Sequence, residues 1–221
     1  MTSKRIKFIS SLINNNDKVL DIGTDHALLP IYLIKNNITS VADGSDISNI
    51  VLDNARTNVA KYNLDKQINL FCSDGVKNID VSIYNTFIIA GMGFYTIKGI
   101  LDSANLGTIN KIIIQSNNNH EELRRYINKI GFKIIKDYFL EDKDKTYLII
   151  YAVKGKQSLS DKEYVCGLYD INNIWYYKYI VNKYESMLKN IPVNDSDLIN
   201  RQLDYFKEYV SMQKIEVKKN K

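Results

Sequence analysis

The decamer DIGTDHALLP, which starts at Asp21, constrains this chain of 221 residues more than any other segment. It places one glycine and two carboxylates directly after a short apolar run, where the first strand of a nucleotide-binding α/β sheet would turn into its first helix. Dinucleotide sites usually carry Gly-x-Gly-x-x-Gly at this turn, so that bare backbone can approach a pyrophosphate at the helix N-terminus. Here only Gly23 is a glycine, and Asp25 occupies the position of the second one.

Asp25 decides which ligand such a turn can accept. Its carboxylate would repel a pyrophosphate and attract a cation. The sulfonium of S-adenosylmethionine (SAM) is such a cation, so we expect SAM as the cofactor and methyl transfer as the reaction. A dehydrogenase that binds a nicotinamide dinucleotide is the weakest alternative, for the same electrostatic reason.

The order of apolar patterns predicts a mostly parallel sheet. The first five predicted strands cover residues 18–21, 39–46, 68–72, 86–90 and 111–116. Helical patterns lie between most of them, and this alternation is typical of parallel strands joined by right-handed crossovers. A short helix leads into the first strand, and Ser48 can cap the helix that follows the second strand.

Two further strand-like runs, at 132–140 and 146–153, are separated by only five residues. Five residues cannot form a parallel crossover, so these runs must pair as an antiparallel hairpin and the last strand must be reversed. We therefore predict an α/β fold with a Rossmann-like sheet of the kind found in SAM-dependent methyltransferases.

Long helical patterns follow the last strand. Large, mostly apolar residues recur at alternating steps of three and four along 177–191 and 199–213, which is typical of coiled-coil seams. Pro192 and the polar residues after it separate the two helices, which should fold back as a hairpin. We predict two domains, a SAM-binding methyltransferase domain at 1–155 and a helical coiled-coil domain at 156–221.

Composition adds only weak limits. The formal charge of +5 permits a nucleic-acid partner without requiring one. Cys72 and Cys166 lack the spacing of a zinc site or a disulfide framework, so we expect no metal and a reducing compartment. No apolar run is long enough to cross a bilayer. We expect a cytoplasmic protein with no membrane association that acts as a monomer.

Acidic residues and glycines recur where the predicted strands end. Asp21 and Gly23 would hold the methionine half of the cofactor, and an acidic residue about 20 positions after the glycine usually binds ribose hydroxyls. Asp46 fits that place better than Asp43, which lies inside the strand and could be a surface carboxylate. Asp74, which precedes Gly75, could accept a hydrogen bond from the adenine amino group, or the two residues could form a simple Asp-Gly turn.

The fourth and fifth strands end in small and polar residues. Gly91, Met92 and Gly93 leave room for a substrate plane to approach the methyl group, and Asn117 adds a polar group at the same edge. His26 and His120 are the two histidines. His26 is a candidate substrate contact, although each histidine could instead be a hydrogen-bonded structural side chain.

Five blocks carry a family resemblance. They are, in chain order, DIGTDHALLPIYL, SDISNIVLDNARTNV, FCSDG, IIAGMG and IIIQSN. In this order, and with a helical hairpin after them, they resemble the bacterial tRNA adenine-N1 methyltransferases of the TrmK kind, which methylate adenine 22. The resemblance covers nearly the whole chain. Two departures change the expected shape of the adenine pocket: Ser116 replaces the usual proline of Gln-Pro-Asn, and Phe94 replaces a small residue.

The resemblance implies roles for individual residues. The cofactor contacts it implies are Asp21, Gly23, Asp46, Asp74, Gly75 and Gly91. Asp25 would act on the substrate side, and Arg5 matches a basic position whose role is either a phosphate or cofactor contact or a solvated surface charge. The helical tail would contact the tRNA body.

The mechanism expected from these residues needs no covalent intermediate, because N1 of adenine is already nucleophilic. Asp25 would stabilise the positive charge that develops on the methylated base. Apolar or aromatic groups near Met92, Phe94 and Tyr95 would hold the unpaired base. Two alternatives stay open: a SAM enzyme with another substrate, and an RNA-binding module without activity on a methyltransferase scaffold.

Overall fold

The computed structural model describes residues 3–142, 145–190 and 196–219. The strands in these residues are β1 (Lys18–Ile22), β2 (Val41–Asp46), β3 (Leu70–Cys72), β4 (Thr86–Met92), β5 (Lys111–Ser116), β6 (Phe132–Asp142) and β7 (Lys145–Lys154). The helices are α1 (Lys4–Ser10), α2 (Leu28–Lys35), α3 (Asn49–Lys61), α4 (Phe94–Ser103), α5 (His120–Lys129), α6 (Asp161–Cys166), α7 (Ile174–Leu188) and α8 (Asp197–Lys219). Within the described residues, no helix combines the length and apolar character needed to cross a bilayer.

One sheet contains all seven strands in the order β3-β2-β1-β4-β5-β7-β6. The neighbours among β1 to β5 pair in parallel, whereas β7 runs antiparallel to both β5 and β6. The predicted methyltransferase-like sheet with a reversed last strand is therefore confirmed. The β4 strand is longer than predicted, because it continues past Ala90 through a bulge to Met92.

Strict alternation along the central strands divides the core between two faces. Val19, Ile88 and Ile113 are buried on the side covered by α1, α2 and α3. Their neighbours Leu20 and Ile89 are buried on the opposite side, which α4 and α5 cover. Period-two burial on both faces is what a parallel sheet between two helical layers requires.

The helices α6, α7 and α8 enclose a third apolar cluster that reaches the sheet at Phe139. The Phe139 ring stacks on Tyr176 with 3.6 Å between the ring centroids. Ile180 and Phe206, which lie on the predicted seams, are buried, but so is Tyr209, which lies off the seam. The seams thus describe only part of the buried surface, because α8 packs against α6 and the residues after it as well as against α7, and the Tyr209 hydroxyl donates to the carbonyl oxygen of Gly167.

The predicted break between the two tail helices can be compared with the structure only at the residues that flank it. The first helix ends at Leu188 and the second begins at Asp197. Pro192, which we expected to end the first helix, lies outside the described residues, as do Asn194 and Asp195 among the predicted capping residues. The Ser48 cap is present, since its side chain accepts a hydrogen bond from the backbone N–H of Val51.

A buried ion pair fixes the tail to the sheet. Arg124 of α5 and Asp137 of β6 are 2% and 1% exposed, and Nε of Arg124 lies 2.9 Å from Oδ1 of Asp137. Nη1 of Arg124 also donates to the carbonyl oxygens of Tyr164 and Val165 at the end of α6. The second oxygen of Asp137 accepts from the backbone N–H of Leu168. The chain after α6 is therefore held by charge-assisted hydrogen bonds from the sheet domain.

The variant R124M should cost about 3–5 kcal/mol of unfolding free energy, because it leaves the Asp137 carboxylate buried without its partner. The matched control R125M changes the next arginine on the same helix, whose side chain is 41% exposed, and should cost about 1 kcal/mol or less. Urea denaturation of the full chain measures both. Equal losses in the two variants would contradict the structural role of the buried pair.

Candidate active site

The turn after β1 is closed by backbone hydrogen bonds to β2. The N–H groups of Gly23 and Thr24 both donate to the carbonyl oxygen of Ser45 at 2.8 Å. Gly23 has φ +76°, and a Cβ at this position would lie 2.0 Å from Cε of Met92. The left-handed backbone favours glycine at this position, and the missing Cβ leaves space that the terminal methyl group of Met92 fills.

Asp21 is buried directly beneath this turn. It is 6% exposed, and its Oδ2 accepts a hydrogen bond of 2.7 Å from the hydroxyl of Thr24. Burial raises the pKa of Asp21 to about 7, although the Thr24 hydrogen bond and the guanidinium of Arg5 lower it. The carboxyl group therefore changes charge near neutral pH, and a cation placed beside it would favour the ionised form.

Asp25 stands in a strained loop and points its carboxylate outward. Both Asp25 (φ 54°) and Ala27 (φ 56°) are left-handed without being glycine, an arrangement that costs free energy and is frequent at functional sites. The backbone N–H of Asp25 donates to Oδ2 of Asp46 at 3.3 Å. The side chain of Asp25 is 68% exposed, and its Oδ1 lies 3.6 Å from Nε2 of His26.

The two candidate aspartates of β2 have different environments. Asp46 ends the strand, accepts from the N–H of Ser48 at 3.1 Å and lines the cleft at the sheet edge. Asp43 was expected as a possible surface carboxylate, and this is wrong: it is 2% exposed. Its carboxylate accepts hydrogen bonds from the hydroxyl of Tyr84 at 2.6 Å and the backbone N–H of Asn69 at 2.7 Å, so it is a structural group.

Two cavities meet at Gly23, Asp46 and Met92. The smaller cavity, of about 310 Å³, is also lined by Ile47, Asp74, Gly75 and Tyr95. Gly75 has φ +63°, and Asp74 forms an ion pair with Lys77 at the exposed rim.

The larger cavity, of about 560 Å³, brings together candidates from five parts of the chain. The sequence candidates that line it are Arg5, Asp21, Gly23, Asp25, His26, Asp46, Gly91, Met92 and Asn117. His120 and Gly93 do not line either cavity. Gly93 instead caps α4.

A chain of hydrogen bonds forms one wall of the larger cavity. Nη1 of Arg5 donates to Oε1 of Gln115 at 3.0 Å, and Nε2 of Gln115 donates to Oδ1 of Asn117 at 3.0 Å. Asn117 in turn donates to the carbonyl oxygen of Gly91 at 2.9 Å. The guanidinium of Arg5 also lies 5.1 Å from the ring centroid of Tyr147. Arg5 is therefore half-buried in the cavity wall, and the alternative of a solvated surface charge is wrong.

The two residues that depart from the family pattern, Phe94 and Ser116, line neither cavity. Phe94 is 7% exposed in the core, where it packs against Tyr126, so the expectation that it helps to hold a base is wrong. The backbone N–H of Phe94 donates to Oδ1 of Asn118 at 3.0 Å, which fixes the start of α4. The Ser116 hydroxyl donates to the carbonyl oxygen of Asn118 and holds the turn after β5.

Lys145 and Tyr147 also line the larger cavity and are not among the site residues predicted from the sequence, although the predicted topology points to them. The parallel strands all end at the ligand edge of the sheet, so a reversed strand must begin there. The first residues of β7 therefore lie beside the site, as the predicted reversal already implied.

The charges suit a cationic ligand beside a polar acceptor. Asp21, Asp25 and Asp46 line the larger cavity together with the hydrogen-bonding groups of the Arg5 to Asn117 wall. No cluster of histidine, cysteine and carboxylate side chains within the described residues could hold a metal ion.

Residues 2–150 match a family model described as a methyltransferase domain. A tRNA (adenine(22)-N(1))-methyltransferase of Bacillus subtilis is 30% identical over 155 residues, which cover 69% of this chain and 65% of that protein. A putative tRNA methyltransferase of Mycoplasma genitalium is 34% identical over 70% of this chain and 71% of its own length.

The fold extends the similarity beyond the matched domain. The structure of M. capricolum TrmK in complex with S-adenosyl-homocysteine superposes with a TM-score of 0.84 at 30% identity and covers 96% of this chain and 98% of that one. The predicted family is confirmed. The chain belongs to the methyltransferase-domain proteins and, among them, to the TrmK family of tRNA methyltransferases.

Proposed function

We propose that the chain transfers a methyl group from SAM to N1 of adenine 22 in tRNA. The observation that carries this proposal is the convergence of Asp21, Asp25 and Asp46 on one cavity at the carboxyl edge of a TrmK-family sheet. Carboxylates at this edge favour a cationic cofactor over a dinucleotide.

The residues present fit SAM. The smaller cavity would receive the adenosine, with Asp46 at the ribose hydroxyls and Asp74 beside Gly75 at the adenine amino group. Asp21 and the bare backbone of Gly23 and Gly91 would hold the methionine half in the larger cavity. When bound, this cofactor supplies an electrophilic methyl group on a positively charged sulfur.

Asp25 is the residue that we assign to the chemistry. N1 of adenine attacks without prior deprotonation, so alignment provides much of the acceleration. The methylated base carries a positive charge, which the exposed Asp25 carboxylate would stabilise as it forms. Asp25 could then accept a proton from the amino group of the product.

The remaining lining residues would select and hold the base. N1 is inaccessible in a paired adenine, so the enzyme must bind an unpaired or extruded base. Met92 and the 75% exposed Tyr95 offer apolar and aromatic surface at the cavity mouth. Arg5, His26 and Asn117 offer polar contacts to the base or its phosphate, while Gly93, which lines neither cavity, would contribute only by starting α4 directly after Met92.

We further propose that residues 1–155 form the catalytic domain and that the helical domain at 156–221 contacts the tRNA body. We expect a cytoplasmic monomer, because tRNA is a cytoplasmic substrate and each site lies within one chain.

Incubation with labelled SAM and total tRNA, followed by mapping of the modified nucleoside, should give 1-methyladenosine at position 22. The variant D25N should lower kcat about 100-fold or more and change the dissociation constant of SAM less than about threefold. The matched control D53N alters an exposed aspartate paired with Arg56 on α3 and should leave both values unchanged. Equal losses of SAM binding and turnover in D25N would restrict Asp25 to the cofactor.

The raised pKa of Asp21 predicts a pH dependence of cofactor binding. Below about pH 7 the carboxyl group is increasingly protonated, and a neutral group attracts the sulfonium less, so affinity should rise with pH. The dissociation constant of SAM for D21N, divided by that for the unmodified protein, should increase as the pH is raised. The increase should be up to about tenfold per pH unit below pH 7 and should level off above pH 7. Calorimetry between pH 5.5 and 8 measures this ratio, and a ratio that stays constant would place Asp21 away from the cofactor charge.

A further inference from the structure

A groove adjoins the larger of the two cavities, which we call the catalytic cavity from here on. The groove has a volume of about 530 Å³ and lies between the start of β7 and α7. Lys145 lines both the groove and the catalytic cavity. A ligand that extends from the catalytic cavity past Lys145 would therefore enter this side groove, which we define by Lys145, Leu148, Tyr176, Tyr179, Ile180 and Lys183.

The side groove has an apolar base and an aromatic rim. Leu148 and Ile180 are 3% and 7% exposed and form part of its lining. Tyr176 is held by its stack on Phe139. Tyr179 is 50% exposed, although it is a large aromatic residue on a helix whose neighbouring turn is buried. An exposed ring beside an apolar base can stack on a planar ligand.

The charges at the rim favour an anion. Lys145 and Lys183 are exposed, and neither has an ion-pair partner within the parts of the chain that the structure describes. Other lysines of this region, such as Lys136 and Lys162, are paired with carboxylates. Glu141 also lines the groove and brings one carboxylate, while Nζ of Lys4 donates to its backbone carbonyl at 2.7 Å and adds a third ammonium group beside it, so the positive charges at the rim outnumber the negative one.

His120 also lines the side groove but adds no positive charge to it. It is hydrogen-bonded to the carbonyl oxygen of Ser116, and burial lowers its pKa to about 4, with a further contribution from Arg124. The imidazole is therefore neutral at physiological pH. The positive charge of the groove therefore comes from its lysines.

We propose that the side groove binds a nucleotide adjacent to the target adenosine, with its base stacked on Tyr179 and its phosphate between Lys145 and Lys183. This inference rests on the proposed function, since it requires a polynucleotide that passes from one cavity to the next. A planar base, an anionic linker and a direct connection to the catalytic cavity are the three properties that the lining residues match.

The test uses the full chain with Y179A and K183A, and K178A as the matched control. Lys178 is exposed on the same helix but does not line the groove. Y179A should weaken tRNA binding about 5- to 150-fold, as expected for the loss of one stacked base. K183A should weaken tRNA binding and reduce the slope of log K against log salt by about 0.7 to 0.9. Binding of S-adenosylhomocysteine should be unchanged in all three variants.

The outcomes separate this inference from the proposed function. If the unmodified protein forms no 1-methyladenosine in tRNA, the proposed function fails. If it is active, but Y179A and K183A bind tRNA as the unmodified protein does, only the groove assignment fails. Equal weakening by K178A and K183A would also overturn it, because that result would show general attraction to a charged helix. Thermal melting confirms that each variant is folded.

Discussion

The parallel pairing of β1 with both β2 and β4 is the constraint on which the rest of the structure depends. Ile22, at the end of β1, lies opposite Ser45 on one side and Ile89 on the other. The turn after β1 must therefore open between the ends of two neighbouring strands, which is where open α/β sheets bind ligands. The hydrogen bonds from Gly23 and Thr24 to β2 close that turn and orient the loop that leads into α2.

The turn gives two nearby carboxylates different environments. Asp21 is buried beneath the backbone, so its pKa is raised towards neutrality. Asp25 has a left-handed backbone conformation, and its carboxylate is exposed at the cavity. Environment assigns different tasks to chemically identical groups. The inner carboxyl group suits a fixed cofactor charge, and the exposed one suits a charge that appears during the reaction. The side groove extends the same cleft towards the helical tail.

Local patterns were sufficient to predict the succession of strands and helices along the chain, the reversed hairpin and the glycine turn. They were not sufficient where a residue's environment is set by a distant part of the chain. Asp43 is buried because Tyr84, 41 positions later, supplies a hydroxyl. Phe94 faces the core because a side chain after β5 fixes the start of its helix. The Arg124–Asp137 pair joins a helix to a strand and anchors the tail, and no periodicity in the sequence marks either residue as buried.

The central claim is that the acidic turn selects a cationic methyl donor over an anionic dinucleotide. Calorimetric titration of the full chain with SAM and, separately, with a nicotinamide dinucleotide tests this claim most directly. We expect a saturable heat of binding with SAM and none with the dinucleotide at the same concentrations. Binding of the dinucleotide without binding of SAM would contradict the account of the turn and of the reaction.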